Sequence, residues 1–225
     1  MYPTSHPNFM RTATWPVAYV ESNRMVGEET LLVEEEISVS DKSPIRRTEF
    51  ATGRWCAREA LRRLGVPATP LPRGPFGVPL WPPGTTGSIS HTEGLVCAIA
   101  SRLHRSVGVD VQSRVVNIDS ETWAHVSESN EVASLASQGL SAHLGDLLSF
   151  CLKEAAFKCL FPLFGRPTSF RHIHLNFPGE TGVAEILAKI ESQPYPIPWV
   201  NLEGRFDWNE RHVLTVVWMT RSPMS

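Results

Sequence analysis

The feature that most constrains the fold of this chain is an apolar segment from about Asp146 to Phe161. It has almost no polar face, so it predicts a helix that is buried on nearly all sides and ends at Pro162. Three charged residues interrupt it, namely Lys153, Glu154 and Lys158. Because a buried charge is costly unless it is paired or bound to a metal, these residues should have partners.

Two arrangements could satisfy the charges of this helix. Glu154 and Lys158 stand four residues apart and could pair with each other on a thin exposed stripe. Alternatively, Glu154 could meet Asp110, an acid in the apolar, strand-like segment 107–112. Two carboxylates on neighbouring elements would suit Mg²⁺, which commonly takes one or two protein carboxylates together with substrate phosphates. An aspartate at a strand end can also simply cap a turn.

The composition is that of a globular protein. The chain has 225 residues, of which 42% are hydrophobic and 20% are charged, and this excludes a wholly disordered, collagenous or coiled-coil protein. The 18 prolines outnumber the 15 glycines, which indicates short elements and fixed turns. A net charge of -2 argues against a broad basic surface for nucleic acid.

The sequence does not indicate a membrane or an oxidising compartment. No apolar run reaches the roughly 20 residues of a membrane helix, and the first residues lack the order of a signal peptide. The cysteines form no CxxC pair, so we expect reduced and mostly buried thiols. We therefore expect a cytoplasmic protein without a membrane or nucleic-acid partner.

The order of predicted elements is helix, strands, helices and strands, which is typical of an α+β fold. Ser43 and Pro44 should begin a helix that ends near residue 64, and the glutamate-rich segment 27–40 before it should form a solvated helix. The proline-rich segment 67–87 should be an extended loop. We expect two α+β halves, 1–112 and 113–225, that meet near residues 112–118. Strands are expected at 87–91, 95–101 and 107–111 as an antiparallel meander, at 173–177, and at 205–208 and 212–219 as a hairpin, with two short helices within 119–140.

The helix that starts at Pro44 is rich in arginine. Guanidinium groups bind phosphates through paired hydrogen bonds, so this helix is a candidate anion site together with Arg73 in the following loop. A solvated basic face opposite the glutamate-rich segment would explain the same pattern. Ser90 and His91 are adjacent, but successive strand residues point to opposite faces, so they should not form a nucleophile–base pair. The arginines of the helix are Arg46, Arg47, Arg54, Arg58, Arg62 and Arg63.

Four segments follow one another in a specific order: R-R-T-E-F-A-T-G-R-W-C-A-R-E-A-L at 46–61, P-L-W-P-P-G-T-T-G-S-I-S-H at 79–91, V-G-V-D-V-Q at 107–112 and F-C-L-K-E-A-A-F-K at 150–158. Together they resemble the two-domain, Sfp-type 4'-phosphopantetheinyl transferases, especially the branch of enterobactin-synthase component D and actinobacterial enzymes. The likeness extends from about Arg46 to Phe170, and the two ends of the chain add little to it.

The resemblance implies two pseudo-symmetric α+β halves with coenzyme A in the cleft between them, in a monomer. Asp110 and Glu154 would hold Mg²⁺ next to the pyrophosphate of coenzyme A. Lys158 would bind that pyrophosphate and offset charge in the transition state, with Lys153 as a helper. The serine of an acyl or peptidyl carrier protein would attack the β-phosphorus and release adenosine 3',5'-bisphosphate, and Glu154 could also act as the base.

The family's motifs also imply where the nucleotide end of coenzyme A binds. The 3'-phosphate would lie against Arg46, Arg54, Ser90 and His91. The adenine region would be lined by Arg73, Gly74, Pro75 and Phe76, and the ring of Phe76 could either stack on adenine or cover the core. Carrier recognition would involve residues 113–140.

One position departs from the family pattern. Many relatives have a glutamate where this chain has Gln112, two residues after Asp110. A neutral amide is a weaker ligand for Mg²⁺, so the metal would depend on two carboxylates, with Gln112 as a candidate third ligand.

We therefore predict a magnesium-dependent transferase that acts on carrier proteins of fatty-acid, polyketide, nonribosomal-peptide or siderophore assembly, without a choice among them. A catalytically silent module that binds coenzyme A or a carrier is one alternative, and Gln112 is its only support. A metal-dependent hydrolase of phosphate esters would use the same acids and arginines and is another.

Overall fold

The computed structural model describes Phe9 and residues 14–39, 41–115, 129–165, 169–190 and 197–221. Its α-helices are α1 (Val33–Glu36), α2 (Pro44–Arg63), α3 (Ser129–Ser137) and α4 (Ala142–Phe164). Its strands are β1 (Ala18–Ser22), β2 (Thr86–Thr92), β3 (Leu95–Ser101), β4 (His104–Ser113), β5 (Ile173–Asn176), β6 (Val183–Ile190), β7 (Ile197–Trp208) and β8 (His212–Thr220). In this part of the chain, no helix has the length and apolar character needed to span a membrane.

The strands form two antiparallel sheets, and one long helix packs on each. The first sheet has the order β1-β3-β2, and the second has the order β4-β8-β7-β6-β5. Ala57 and Leu61 of α2 share a core with Val96 and Ala98 of β3, whereas α4 shares a larger core with β5 to β8. A third core, with residues from β3, β4 and β8, joins the two sheets. The predicted α+β class is confirmed.

Strand β4 does not take the predicted place in a three-stranded meander. β2 and β3 do form a hairpin, but β4 pairs with β8 in the other sheet. Val107, Val109 and Val111 are buried in the core that joins the sheets, so β4 packs against β2 and β3 instead of extending their sheet. The division of the chain at residue 112 stays a prediction, and β4, which precedes it, lies in the sheet of the second half.

Several expected boundaries also differ from the structure. The glutamate-rich segment forms a 3-10 turn (Glu28–Thr30) and the one-turn helix α1, and Glu35 is fully buried, so the predicted solvated helix is wrong. Helix α4 begins at Ala142 and continues past Pro162, because a proline in the last turn removes only one helical hydrogen bond. β1 and β6 were not expected. Of the two helices predicted within 119–140, the described residues contain α3, and the remainder lies outside them.

Helix α4 and strand β4 approach each other closely at Gly108. A Cβ atom added at this glycine would lie 1.9 Å from the Ala155 carbonyl oxygen, so a larger residue would push the helix away. Two side chains secure the contact: Thr215 Oγ1 donates to the Cys151 carbonyl at 2.9 Å, and Ser106 Oγ donates to the Cys159 carbonyl at 2.6 Å. These contacts set the distance between α4 and the polar face of β4.

Lys153 lies in the core of the second half and not at a surface. Its side chain is 1% exposed, and its Nζ lies 3.0 Å from Oε2 of Glu131 in α3, which is equally buried. Oε1 of Glu131 accepts a hydrogen bond from the Leu175 backbone amide of β5 at 3.0 Å. The ion pair therefore ties α3, α4 and β5 together, and the charge of Lys153 is used in the core.

Replacing Lys153 by methionine should lower the free energy of unfolding by about 3–5 kcal/mol, because Glu131 would remain as a buried charge without its cation. Urea denaturation followed by circular dichroism measures the change. Arg62→Met is the matched control, since Arg62 pairs with Glu59 at the surface and should contribute much less. Equal losses in the two variants would contradict the structural role of Lys153.

Candidate active site

Asp110 lies at the centre of a polar cluster formed by β2, β4 and α4. The residue is only 2% exposed. Its Oδ1 accepts hydrogen bonds from Ser90 Oγ at 2.8 Å and from Lys158 Nζ at 2.6 Å. Its Oδ2 accepts from Gln112 Nε2 at 3.2 Å and from Cys151 Sγ at 3.3 Å. Every oxygen of this carboxylate thus has two donors, which satisfies the charge that the apolar strand buries.

Local geometry explains why these side chains meet. Side chains alternate along β4, so Val109 and Val111 enter the core between the sheets while Asp110 faces α4. On α4, Cys151, Glu154 and Lys158 have the spacing i, i+3 and i+7, which places them on one face of the helix.

Lys153 does not belong to this cluster. It lies about 140° around the helix axis from Lys158, and its ammonium group meets Glu131. The structure therefore does not bring Lys153 together with the other residues that the sequence placed at the pyrophosphate.

Lys158 is the cation of the cluster. Its Nζ donates to Asp110 and also to Ser90 Oγ at 3.0 Å. Burial opposes the charge of Lys158, but Asp110 and then Glu154 outweigh this effect and hold the pKa of the ammonium above its usual value. Lys158 therefore stays protonated. The sequence left open a pairing of Lys158 with Glu154, and the structure shows an ion pair of Lys158 with Asp110.

Glu154 is the carboxylate of the cluster that has no partner. It is partly buried, and the described part of the chain gives it no hydrogen bond and no ion pair. Burial is the main cause that raises the pKa of Glu154, the negative charge of Asp110 raises it further, and Lys158 offsets only part of this. The free carboxylate can therefore accept a cation or a proton from outside the chain.

Asp110 and Glu154 suit a divalent cation as an open pair of ligands, and not as part of a closed metal site. Among the described residues, no group of three or more His, Cys, Asp and Glu side chains is placed to hold a metal. Asp110 and Glu154 repel each other, and a cation between them would relieve this repulsion, with phosphate oxygens and water completing the shell. Gln112 offers its amide nitrogen to Asp110, so here it supports that carboxylate as a hydrogen-bond donor.

A cavity of about 440 Å³ opens beside the polar cluster and collects most of the predicted anion-binding residues. Arg46 and Arg54 of α2, Arg73 of the proline-rich loop and His91 of β2 line it. The guanidinium groups of Arg46, Arg54 and Arg73 come from the helix and the loop and converge on one space. The arginine cavity, as we call it, is therefore a candidate site for a phosphate group.

The two arginines of α2 in this cavity differ in their surroundings. Arg54 is buried, its Nε donates to the Leu71 carbonyl at 2.6 Å, and its guanidinium carbon lies 4.1 Å from the Phe50 ring centroid. Burial lowers the pKa of Arg54 to about 10, so it remains charged at neutral pH. Arg46 is 62% exposed and pairs with Glu49 at 2.8 Å, so it can exchange this partner for a ligand at low cost.

The proline-rich loop brings Arg73 to the cavity by a tight turn. Gly77 has φ +82°, a backbone conformation that favours glycine. Gly74 and Pro75 form the turn but do not line the arginine cavity.

Phe76 lies on the outside of the same turn and does not cover the core. Its side chain is 82% exposed, and its ring packs edge-on against Phe161 with centroids 5.7 Å apart. Both rings border a second cavity of about 270 Å³ together with Phe157 and Lys158. This apolar cavity, as we call it, shares Gly77, Pro79 and Ile89 with the arginine cavity.

Ser90 and His91 point to different places, as the strand alternation predicted. Ser90 belongs to the Asp110 cluster, so the structure does not place it with the arginines at the expected 3'-phosphate position. His91 does line the arginine cavity. Burial, followed by the charges of Arg46 and Lys158, lowers the pKa of His91 against the opposing effect of Glu49, so the ring is neutral at neutral pH.

The remaining arginines of α2 have partners that stabilise the fold. Arg47 pairs with Glu28, and Arg58 pairs with the buried Glu35. Arg63 donates to the Tyr19 carbonyl at 2.6 Å. The sequence left open an anion site and a basic face opposite the glutamate-rich segment. The arginines of α2 serve both purposes.

Cys151 is the site residue that sequence reasoning missed. The expectation of reduced and mostly buried cysteines is confirmed, but it does not single out Cys151 as part of a site. Its spacing to Glu154 and Lys158 on the helix was the available signal. Burial and the charge of Asp110 raise the pKa of the Cys151 thiol, so it remains protonated and can donate its hydrogen.

Comparison with known proteins agrees with this arrangement. The family model described as the 4'-phosphopantetheinyl transferase N-terminal domain matches residues 34–101, and that of the 4'-phosphopantetheinyl transferase superfamily matches residues 106–217. These two matches include every residue of the Asp110 cluster and of the arginine cavity.

Named relatives cover most of the chain. It is 36% identical over 196 residues to 4'-phosphopantetheinyl transferase PptT of Mycobacterium tuberculosis, which is 84% of this chain and 86% of the relative. It is 31% identical over 194 residues to 4'-phosphopantetheinyl transferase Npt of Nocardia iowensis, with coverage of 81% and 86%. Enterobactin synthase component D of Salmonella typhi is 36% identical over 114 residues, which is 50% of this chain and 47% of the relative. The chain belongs to the 4'-phosphopantetheinyl transferase family.

Proposed function

We propose that this enzyme transfers 4'-phosphopantetheine from coenzyme A to a serine of an apo carrier protein in the presence of Mg²⁺. The serine oxygen forms a bond to the β-phosphorus, and the bond from that phosphorus to the bridging oxygen breaks. Adenosine 3',5'-bisphosphate leaves with the bridging oxygen, and the serine proton passes to Glu154 or to a water molecule. The carrier belongs to a fatty-acid, polyketide, nonribosomal-peptide or siderophore synthase.

The observation that carries this proposal is that the apolar cavity, which Lys158 borders, adjoins the arginine cavity through shared residues. Coenzyme A has a phosphorylated nucleotide at one end, a largely uncharged pantetheine arm at the other and a pyrophosphate between them. Arginines, an ammonium group and an apolar surface thus lie next to one another, and each suits one of these parts.

The residues of the chain act chiefly by positioning and by charge, as phosphoryl transfer requires. Arg46, Arg73 and the buried Arg54 would bind the 3'-phosphate. Lys158 would donate to the pyrophosphate, and Asp110 keeps its ammonium group charged and in place. Glu154, which has no partner among the described residues, would accept the serine proton directly or through water.

Asp110 and Glu154 are the residues that would hold Mg²⁺. The bound ion would neutralise charge on the pyrophosphate oxygens. We further propose that the enzyme works as a monomer and that it lies in the cytoplasm. The four free cysteines are consistent with this compartment, because reduced thiols are typical of it.

Both carboxylates should be essential for transfer. We expect Asp110→Asn and Glu154→Gln each to abolish the mass gain of one phosphopantetheine on an apo carrier protein incubated with enzyme, coenzyme A and Mg²⁺. Intact-protein mass spectrometry measures this gain, with the wild-type enzyme and a chelator as controls. Transfer that survives both substitutions, or that ignores the chelator, would refute the proposal.

The same two variants should change stability in opposite directions. Because the folded state raises the pKa of Glu154, the free energy of unfolding falls as the pH rises through that raised pKa. Glu154→Gln removes this penalty and should raise the melting temperature at neutral pH without metal. Asp110→Asn leaves the ammonium of Lys158 without its counter-charge and should lower the melting temperature. A lower melting temperature for Glu154→Gln would contradict the unpaired state of this carboxylate.

Arg46 should contribute to the binding of coenzyme A through the arginine cavity. We expect Arg46→Ala to weaken the binding of coenzyme A by about tenfold or more in calorimetry, because a charge-assisted hydrogen bond to phosphate is lost. Arg62→Ala is the matched control, since Arg62 is an exposed arginine of the same helix that also pairs with a nearby glutamate but lies outside the cavity. Equal affinity in the two variants would remove Arg46 from the site.

A further inference from the structure

The Asp110 cluster contains a buried thiol that belongs to the core of α4 and also contacts the carboxylate. We propose that Cys151 is a positioning residue of the transfer reaction, whose S–H group holds Oδ2 of Asp110 and fixes the plane of that carboxylate. The proposal rests on the transfer reaction proposed above and adds a residue to it. Cys151 acts through Asp110 and does not contact the substrate.

Cys151 contacts Asp110 through its sulfur and Thr215 through its backbone carbonyl. Its sulfur lies 3.3 Å from Asp110 Oδ2, and the residue is fully buried. The carbonyl of Cys151 accepts the hydroxyl hydrogen of Thr215 from β8, and Gly108 lets α4 come close enough to β4 for the contact. These contacts therefore hold the backbone of Cys151 at a distance from β4 that lets its thiol reach Asp110.

A carboxylate can rotate about its Cβ–Cγ bond, so both oxygens need donors to define its plane. Oδ1 has the ammonium of Lys158 and the hydroxyl of Ser90. Oδ2 has the amide of Gln112, which is partly exposed, and the buried thiol. When water or a ligand displaces the amide of Gln112, Cys151 is the donor that remains on Oδ2.

A thiol suits this task because it is a weak and neutral donor. It orients Asp110 but leaves the negative charge available to Lys158 and to a metal ion. A second cation at this position would neutralise the carboxylate, and an aliphatic side chain would leave Oδ2 with one donor. The hydrogen bond to Asp110 also explains why the apolar helix α4 has a thiol at position 151.

Cys159 provides a matched control in the same helix. It is also fully buried, about two turns further along, but its polar neighbour is the hydroxyl of Ser106 and not a carboxylate. Substitutions at Cys159 report the effect of a lost core thiol without a change at Asp110.

Steady-state kinetics with an apo carrier protein tests the role. We expect Cys151→Ala to lower kcat by about tenfold while the KM for coenzyme A changes by less than about twofold. Cys151→Ser should restore most of kcat, because a hydroxyl donates to the same oxygen, and Cys159→Ala should retain the wild-type kcat. A wild-type kcat in Cys151→Ala, or a kcat in Cys151→Ser as low as in Cys151→Ala, would overturn the proposal.

Infrared spectroscopy tests the hydrogen bond without any assumption about the reaction. The S–H stretching band of Cys151 is assigned from the difference between the wild-type protein and Cys151→Ala. It should lie at lower frequency than the band of a thiol without an acceptor, and it should move to higher frequency in Asp110→Asn. A band that does not respond to Asp110→Asn would overturn the contact. If the wild-type protein modifies no carrier, the proposed transfer reaction is refuted. The infrared result still tests the hydrogen bond between Cys151 and Asp110 independently.

Discussion

The ion pair between Asp110 and Lys158 is the contact on which the rest of the site depends. It lies where α4 meets β4, and α4 also forms the core that it shares with β5 to β8. Gly108 makes the approach possible, and hydrogen bonds from strand hydroxyls to helix carbonyls hold it. A change in the packing of α4 would therefore also move the charged groups, so fold and site are two consequences of one helix–strand contact.

Helix α4 carries two separate charge systems on opposite sides. Lys153 neutralises Glu131 in the core and links three elements. Lys158 faces Asp110, and Glu154 has no hydrogen bond or ion pair with any residue that the structure describes. The first system stabilises the protein, whereas the second holds two carboxylates close together at a cost in free energy. Such a cost is common where a site is prepared for a cation or a charged substrate.

Helix α2 divides its arginines in a similar way. Arg47 and Arg58 are neutralised by glutamates of the preceding segment, which anchors that segment to the helix. Arg46 and Arg54 face a cavity that also receives Arg73 and His91. A count of arginines could indicate an anion site or a solvated face, and only the positions of the partner glutamates separate the two uses. Glu35 is buried and pairs with Arg58, whereas the neighbouring glutamates in the sequence indicated an exposed segment.

The sequence by itself determined the long helices, the β2–β3 and β7–β8 hairpins, the α+β class and, through four ordered motifs, the family. Periodicity and capping are local, so they can be read from neighbouring residues. The tertiary structure decided that β4 joins the second sheet, that Lys153 is structural and that Cys151 faces Asp110. These facts depend on which elements pack together, and a buried charge reveals that it needs a partner without revealing which one.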